Sequence, residues 1–132
     1  MFVVDDDVIV AHGAVVERTL VAGDRRFRSG YVEGVATVRS YRRRGLGSMV
    51  MHKIAEIIER DFELGALSTG VQDYYERLGW ERWRGPTYVD SSSGRVRTED
   101  EDDGILVLRT ATSRDLDLAA SLACDWREGD VW

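Results

Sequence analysis

The segment that most constrains this chain runs from Arg28 to Phe62: an apolar stretch, an arginine- and glycine-rich turn, then a helical repeat. Arg28 to Val38 reads as a strand, and its core, Tyr31-Val32-Glu33-Gly34-Val35-Ala36-Thr37-Val38, is nearly continuous in apolar character. Such continuity predicts a strand covered on both faces. From Gly45 to Phe62 the period changes. Leu46, Met49, Val50, Ile54, Ile57, Ile58 and Phe62 recur at steps of three and four, one face of a helix, with His52, Lys53, Glu56, Glu59 and Arg60 on the other. Between them lies Arg42-Arg43-Arg44-Gly45-Leu46-Gly47-Ser48. A helix N-terminus offers free amides and a positive dipole end to an anion, and glycines let backbone approach it closely. The segment is neither a P-loop, since the Gly-Lys-Ser/Thr ending is missing, nor a dinucleotide fingerprint, since the third glycine is missing. It remains open to two readings, a phosphate cradle or an arginine-rich capped turn.

The remainder is read around that unit. Phe2 to Val4 and Val8 to Val21 are strand-like, with Asp5-Asp6-Asp7 as a turn and Ala22-Gly23-Asp24 closing the second. Leu64 to Ser68 is a short strand, and Val71 to Leu78 a weaker helix stopped by Gly79. Thr87 to Asp90 and Ile105 to Arg109 are strands separated by a polar loop, Ser91 to Asp103, ending in five acids. The tail from Thr110 predicts at most a helical turn around Leu116 to Leu122. The order β-β-β-α-β-α-β-β predicts an α+β (α/β layered) domain, one unit spanning 1–132, with helices against a mostly antiparallel sheet.

Charge and cysteine content narrow the function. The net charge is -6 from 24 acids and 18 bases, which argues against nucleic acid and suits a cationic partner. Cys124 is the single cysteine, so no intrachain disulfide and no cysteine-based metal cluster can form; no metal is expected. No apolar run reaches the ~20 residues of a membrane span, and the aspartates at 5–7 argue against a signal peptide. The expected location is cytoplasmic, without membrane contact.

Arg42-x-x-Gly45-x-Gly47 after an apolar strand, with Tyr75-Glu76-Arg77-Leu78-Gly79-Trp80 downstream, resembles the GCN5-related N-acetyltransferases (GNAT). A closer resemblance, to the aminoglycoside 2'-N-acetyltransferases, is carried by Tyr31-Val32-Glu33-Gly34-Val35-Ala36, Leu64-Gly65-Ala66-Leu67-Ser68, Arg84-Gly85-Pro86-Thr87, Asp102-Asp103-Gly104 and Cys124-Asp125-Trp126-Arg127-Glu128-Gly129-Asp130-Val131-Trp132. It covers essentially all of this chain, which begins where the family's second strand would be. The resemblance implies a GNAT fold with helices on both faces of the sheet, lacking the N-terminal strand and helices. Bare sheet edge left by that absence leads us to expect a homodimer.

The resemblance also assigns roles. Acetyl-CoA would be the cofactor, its pyrophosphate on Arg42, Arg43, Arg44, Gly45, Leu46 and Gly47. Its pantetheine arm would pair with Val35, Ala36 and Thr37, an amide there polarising the thioester carbonyl. Glu33 would be the base, acting directly or through water, since an ammonium cannot attack until it loses a proton. Burial in an apolar strand would suit it to that task. Tyr75 would be the acid for the leaving thiolate. Glu33, Gly34, Ser68, Glu101, Asp102, Asp130 and Trp132 would meet the acceptor, a small cationic amino sugar carrying the 2'-amine. Taken as residues alone, Glu33 could equally pair with an arginine, Tyr75 could simply pack, and the acids could be a solvated loop. Two other functions stay open: a GNAT enzyme for another amine, such as a polyamine or protein N-terminus, and a shortened CoA-binding domain without turnover.

Overall fold

A computed structural model describes residues 2–5, 8–37 and 45–132. The strands are β1 (Phe2–Asp5), β2 (Val8–Ala22), β3 (Arg25–Thr37), β4 (Leu64–Ser68), β5 (Glu81–Arg82), β6 (Thr87–Ser91), β7 (Gly94–Arg97), β8 (Ile105–Arg109) and β9 (Leu122–Asp125). The helices are α1 (Leu46–Asp61) and α2 (Gln72–Glu76), with a 3-10 turn at Glu99–Glu101. The strands form one sheet in the order β5-β8-β4-β3-β2-β9-β6-β7, with β1 beside the first half of β2. Its pairs are antiparallel except β3–β4 and β6–β9. No helix among the described residues is long and apolar enough to cross a membrane.

Strand alternation sorts the core into two clusters. Val32, Leu67 and Leu106 face one side of the sheet and meet Val50, Met51, Ile54 and Ile58 of α1 and Tyr75 of α2. Burying each such aliphatic side chain contributes roughly 1.5–3 kcal/mol. Tyr31, Ala66, Ile105 and Val107, one residue out of phase, face the other side and meet Trp83, Leu116 and Trp132. The expected two-sided helical cover narrows accordingly: both described helices lie on one face, and irregular chain and the tail cover the other.

Several boundaries differ from expectation. The strand predicted from Arg28 begins at Arg25, and its continuous burial ends at Val32; Glu33 and Val35 are half-buried and Gly34 and Ala36 exposed. In α1, Met49 is 57% exposed while Met51 is buried, because the buried stripe follows the sheet contact. The polar loop after β6 contains β7, a hairpin strand whose four residues are all exposed and so show no alternation. It is held by Asp90–Arg95 pairing at 2.6 Å and the Ser91 hydroxyl on the Gly94 carbonyl. The tail, expected to be helical at most, supplies β9. Leu122-Ala123-Cys124 is too short to declare itself, but Leu20–Ala22 on one side and Thr87–Asp90 on the other complete its hydrogen bonding. Asp6, Asp7 and Val38 lie outside the described residues.

Two glycines let α1 lie close to the sheet. A Cβ on Gly65 would meet Ile58 Cδ1 at 2.9 Å and Leu108 Cβ at 3.1 Å; one on Gly30 would meet Val15 Cγ1 at 2.9 Å and Phe62 Cδ2 at 3.0 Å. Gly65→Ala is expected to lower stability by about 1–3 kcal/mol through overpacking, read from urea unfolding midpoints. An unchanged midpoint would mean that α1 is free to shift.

Candidate active site

The pairing of β3 with β4 is the source of the site. It holds for three residues, Ser29–Leu64, Gly30–Gly65 and Tyr31–Ala66, and then stops, although β3 continues to Thr37 and β4 to Ser68. Beyond Tyr31 the strands therefore bound a cleft. On its other side β3 is bulged against β2: His12 pairs with Ala36 and Ala14 with Glu33, so Gly34 and Val35 stand opposite Gly13. Gly34 sits at φ 62°, a left-handed conformation that glycine takes without strain. A glycine inside an apolar strand is the sequence signal for such a bulge.

Two cavities flank this opening. One, about 350 Å³, is lined by Glu33, Val35, Leu67, Ser68, Val71 and Tyr75 among others, on the helical side. The second, about 510 Å³, is lined by Tyr31, Glu33, Ser68, Arg127, Asp130 and Trp132 among others, on the tail side. Val32, Glu33 and Ser68 belong to both.

Tyr75 lies in α2, 9% exposed, edge-on to Tyr74 with ring centroids 4.9 Å apart. Burial, and secondarily the neighbouring Tyr74, pushes its pKa up, so the hydroxyl keeps its proton at neutral pH. Glu33 is about one third exposed and its Oε1 accepts from Arg127 Nη1. The apolar enclosure expected of Glu33 is thus replaced by an ion pair, the arginine partner that the residues alone allowed.

The wall on the tail side is built by chain near the C-terminus. Arg18, buried at 3% exposure, donates from Nε to Asp125 Oδ1 at 2.8 Å and from Nη2 to the Asp125 carbonyl at 2.6 Å. Cys124 Sγ bonds the Val131 carbonyl at 3.3 Å, and burial pushes its thiol up to about 11. Trp132 is 5% exposed and packs in the cluster with Tyr31, whereas Trp126 is 60% exposed. Nothing in the sequence distinguishes these two tryptophans; the difference lies in which one reaches the cluster of Tyr31, Trp83 and Leu116.

Asp102 departs from its expected place among the acceptor contacts. Arg97 Nη1 donates to its Oδ1 at 2.8 Å, and the Thr87 amide and hydroxyl reach the same oxygen at 3.2 and 2.9 Å. The hydrogen bonds from Arg97, then those from Thr87, hold its carboxyl down at about 2. A chain of donors runs from Trp132 Nε1 to Thr98 Oγ1 (3.1 Å), to Thr87 Oγ1 (2.8 Å), to Asp102. Asp102 therefore supports Trp132 from behind. Glu101 reaches the site through Ser68, whose hydroxyl donates to Glu101 Oε2 at 3.3 Å. The residues that spacing alone missed are Arg127, Arg18 and Thr87, which act across the chain and leave no local pattern.

Arg42, Arg43 and Arg44 lie outside the described residues, as does the side chain of Thr37. The helix start beyond them is described. Gly45 is the N-cap of α1 at φ 74°, without a side-chain cap and without an acidic residue in the first turn. Among the described residues no side chain caps those first amides, and uncapped helix amides suit an anion.

A curled, mostly antiparallel sheet that parts beside a helix start of this kind defines an acetyltransferase scaffold, and comparison with known proteins agrees. The profile of the acetyltransferase (GNAT) domain matches residues 1–83. An aminoglycoside 2'-N-acetyltransferase of Mycolicibacterium fortuitum is 38% identical over 135 aligned positions, covering 99% of this chain and 69% of that protein. A GCN5-related N-acetyltransferase from Kribbella flavida superimposes with a TM-score of 0.58 at 29% identity, over 64% of this chain and 22% of its own. The YhbS protein of Escherichia coli, solved with CoA, gives 0.65 at 12% identity over 94% of this chain and 63% of its own, a likeness of fold alone. The chain belongs to the GNAT acetyltransferase family, in the branch of the aminoglycoside 2'-N-acetyltransferases. The cofactor of that class is acetyl-CoA.

The Asp102 knot carries a pH prediction. Its carboxyl titrates at about 2 in the folded chain and near 4 when unfolded, so its contribution is complete above about pH 4 and is lost as pH falls through about 2. Asp102→Asn is expected to cost about 2 kcal/mol at neutral pH, the scale of a charged hydrogen bond. The gap to wild type should close on acidification in pH-resolved urea melts; a gap independent of pH would remove the charge from the account.

Proposed function

We propose that this chain transfers an acetyl group from acetyl-CoA to the 2'-amino group of aminoglycosides. The observation that carries the reading is the shared wall: Glu33 and Ser68 line both the helical-side and the tail-side cavity, at the point where β3 and β4 part. A donor on one side and an amine on the other meet at Glu33. Acetyl-CoA supplies the acetyl group as a thioester.

The residues divide the work. The amides at Gly45, Leu46 and Gly47, with Arg42 to Arg44, hold the diphosphate. Val35, Ala36 and Thr37 would present backbone to the pantetheine arm, and the Val35 amide would supply an oxyanion donor. Glu33 accepts the proton that the ammonium must lose, directly or through one water. Tyr75, buried on the helical side and protonated, would supply the proton that the leaving thiolate needs. Ser68 and Asp130 meet the sugar, and Trp132 closes the wall behind it. Three carboxylates on the tail-side cavity, Glu33, Glu128 and Asp130, suit a polycation.

Thiol release from acetyl-CoA tests this. Release is expected with aminoglycosides bearing a 2'-amine and not with 2'-hydroxyl analogues. Release stimulated only by polyamines or peptide N-termini would overturn the acceptor assignment, and CoA binding without any stimulated release would overturn turnover itself. Glu33→Gln should lower kcat by about 10²- to 10⁴-fold while CoA affinity holds, and Tyr75→Phe by about tenfold. Gly45→Val places a β-branched residue at φ 74° and should weaken CoA binding at least tenfold; unchanged affinity by calorimetry would relocate the cradle.

A further inference from the structure

We propose that Arg127 is a resident counter-ion which the acceptor must displace, and that it sets the preference of the site for polycations. The inference rests on the proposed reading, in which the acceptor amine meets Glu33. Arg127 Nη1 already holds Glu33 Oε1, the carboxylate that an incoming ammonium would bond. Its guanidinium carbon lies 5.3 Å from the centroid of the Tyr31 ring, and its Nε donates to the Asp130 carbonyl at 2.6 Å. Among the described residues lining the tail-side cavity Arg127 is the cation, against Glu33, Glu128 and Asp130. The guanidinium therefore occupies the place and the charge of an acceptor amine.

Such an arrangement is exchangeable. Both side chains are about one third exposed, and ion pairs with that access to water are worth little. Arg127 keeps two further partners, the Tyr31 face and the Asp130 carbonyl, when it leaves Glu33. Two residues earlier, Asp125 is held by the buried Arg18 through its carboxylate and its carbonyl, which fixes the backbone from which Arg127 moves. A monoamine that displaces Arg127 merely replaces one cation by another. A polycation replaces it and also meets Glu128 and Asp130, so only a ligand of several charges gains by the exchange.

The test is calorimetric binding of a 2'-amino aminoglycoside to wild type, Arg127→Met and Arg127→Lys. With the resident cation gone, affinity should tighten about two- to fivefold in Arg127→Met, stay near wild type in Arg127→Lys, and leave CoA affinity unmoved. In a Glu33→Gln background the gain from Arg127→Met should vanish. Equal or weaker binding to Arg127→Met overturns the inference while leaving the proposed function standing. Absence of aminoglycoside binding to wild type overturns both. The wild-type protein supplies a readout that needs no variant: the Arg127 Nη–H resonances, whose Nη1 bonds Glu33, should shift on adding aminoglycoside and not on adding CoA, and resonances unmoved by aminoglycoside refute displacement.

Discussion

The parting of β3 from β4 after Tyr31–Ala66 is the constraint on which the site depends. Parallel strands that stay paired bury their backbone groups in each other. Strands that separate leave a cleft with polar backbone on both walls, and something must hold them apart. Here the holding is done on the far sides of the two strands. β2 grips β3 along nearly its whole length with a bulge at Gly34, and β8 grips β4 over all five residues. Neither strand can swing inward without breaking an antiparallel ladder. The opening is thus a property of the sheet, and Glu33 and Ser68 are brought together by it rather than by any contact between themselves.

The tail turns this cleft into a two-sided site. β9 pairs with both β2 and β6, Arg18 clamps Asp125, and the Trp132 indole is tied through Thr98 and Thr87 to Asp102. These interactions are part-buried and joined in series by hydrogen bonds, where an unmade partner is costly. The ion pair between Arg127 and Glu33 lies on the same wall but at its wet surface. A multiply bonded clamp at Arg18–Asp125 and the Arg127–Glu33 pair therefore sit within a few residues of each other.

Legibility in the sequence followed the range of the interactions. α1 and β4 were readable because helical period and a short apolar run are local signals, and the helix start at Gly45 was visible as a glycine pair after a strand. β7 and β9 were not, because exposed Gly94–Arg97 carries no alternation and Leu122–Asp125 becomes a strand only where two others receive it. Tyr75 was placed by its spacing from Gly79, and it lines the helical-side cavity. Asp102 shows the limit of such matching. Its position was recognisable, but whether its carboxylate faces a ligand or an arginine depends on Arg97 and Thr87, which spacing does not rank. Arg127 stood inside a motif that was read as a whole, and its pairing with Glu33, 94 positions away, has no local signature.

The β6–β7 hairpin reaches the rest of the sheet through β9, which pairs with Thr87–Asp90 on one side and with Leu20–Ala22, far earlier in the chain, on the other. Contacts of that span form late and slowly, after shorter loops have closed. Residues 8–109 carry the β2–β3, β3–β4 and β4–β8 ladders among themselves, so these can close before residues 122–125 are received between β2 and β6. The tail-side wall of the cleft is therefore the part of the sheet that closes over the longest loop.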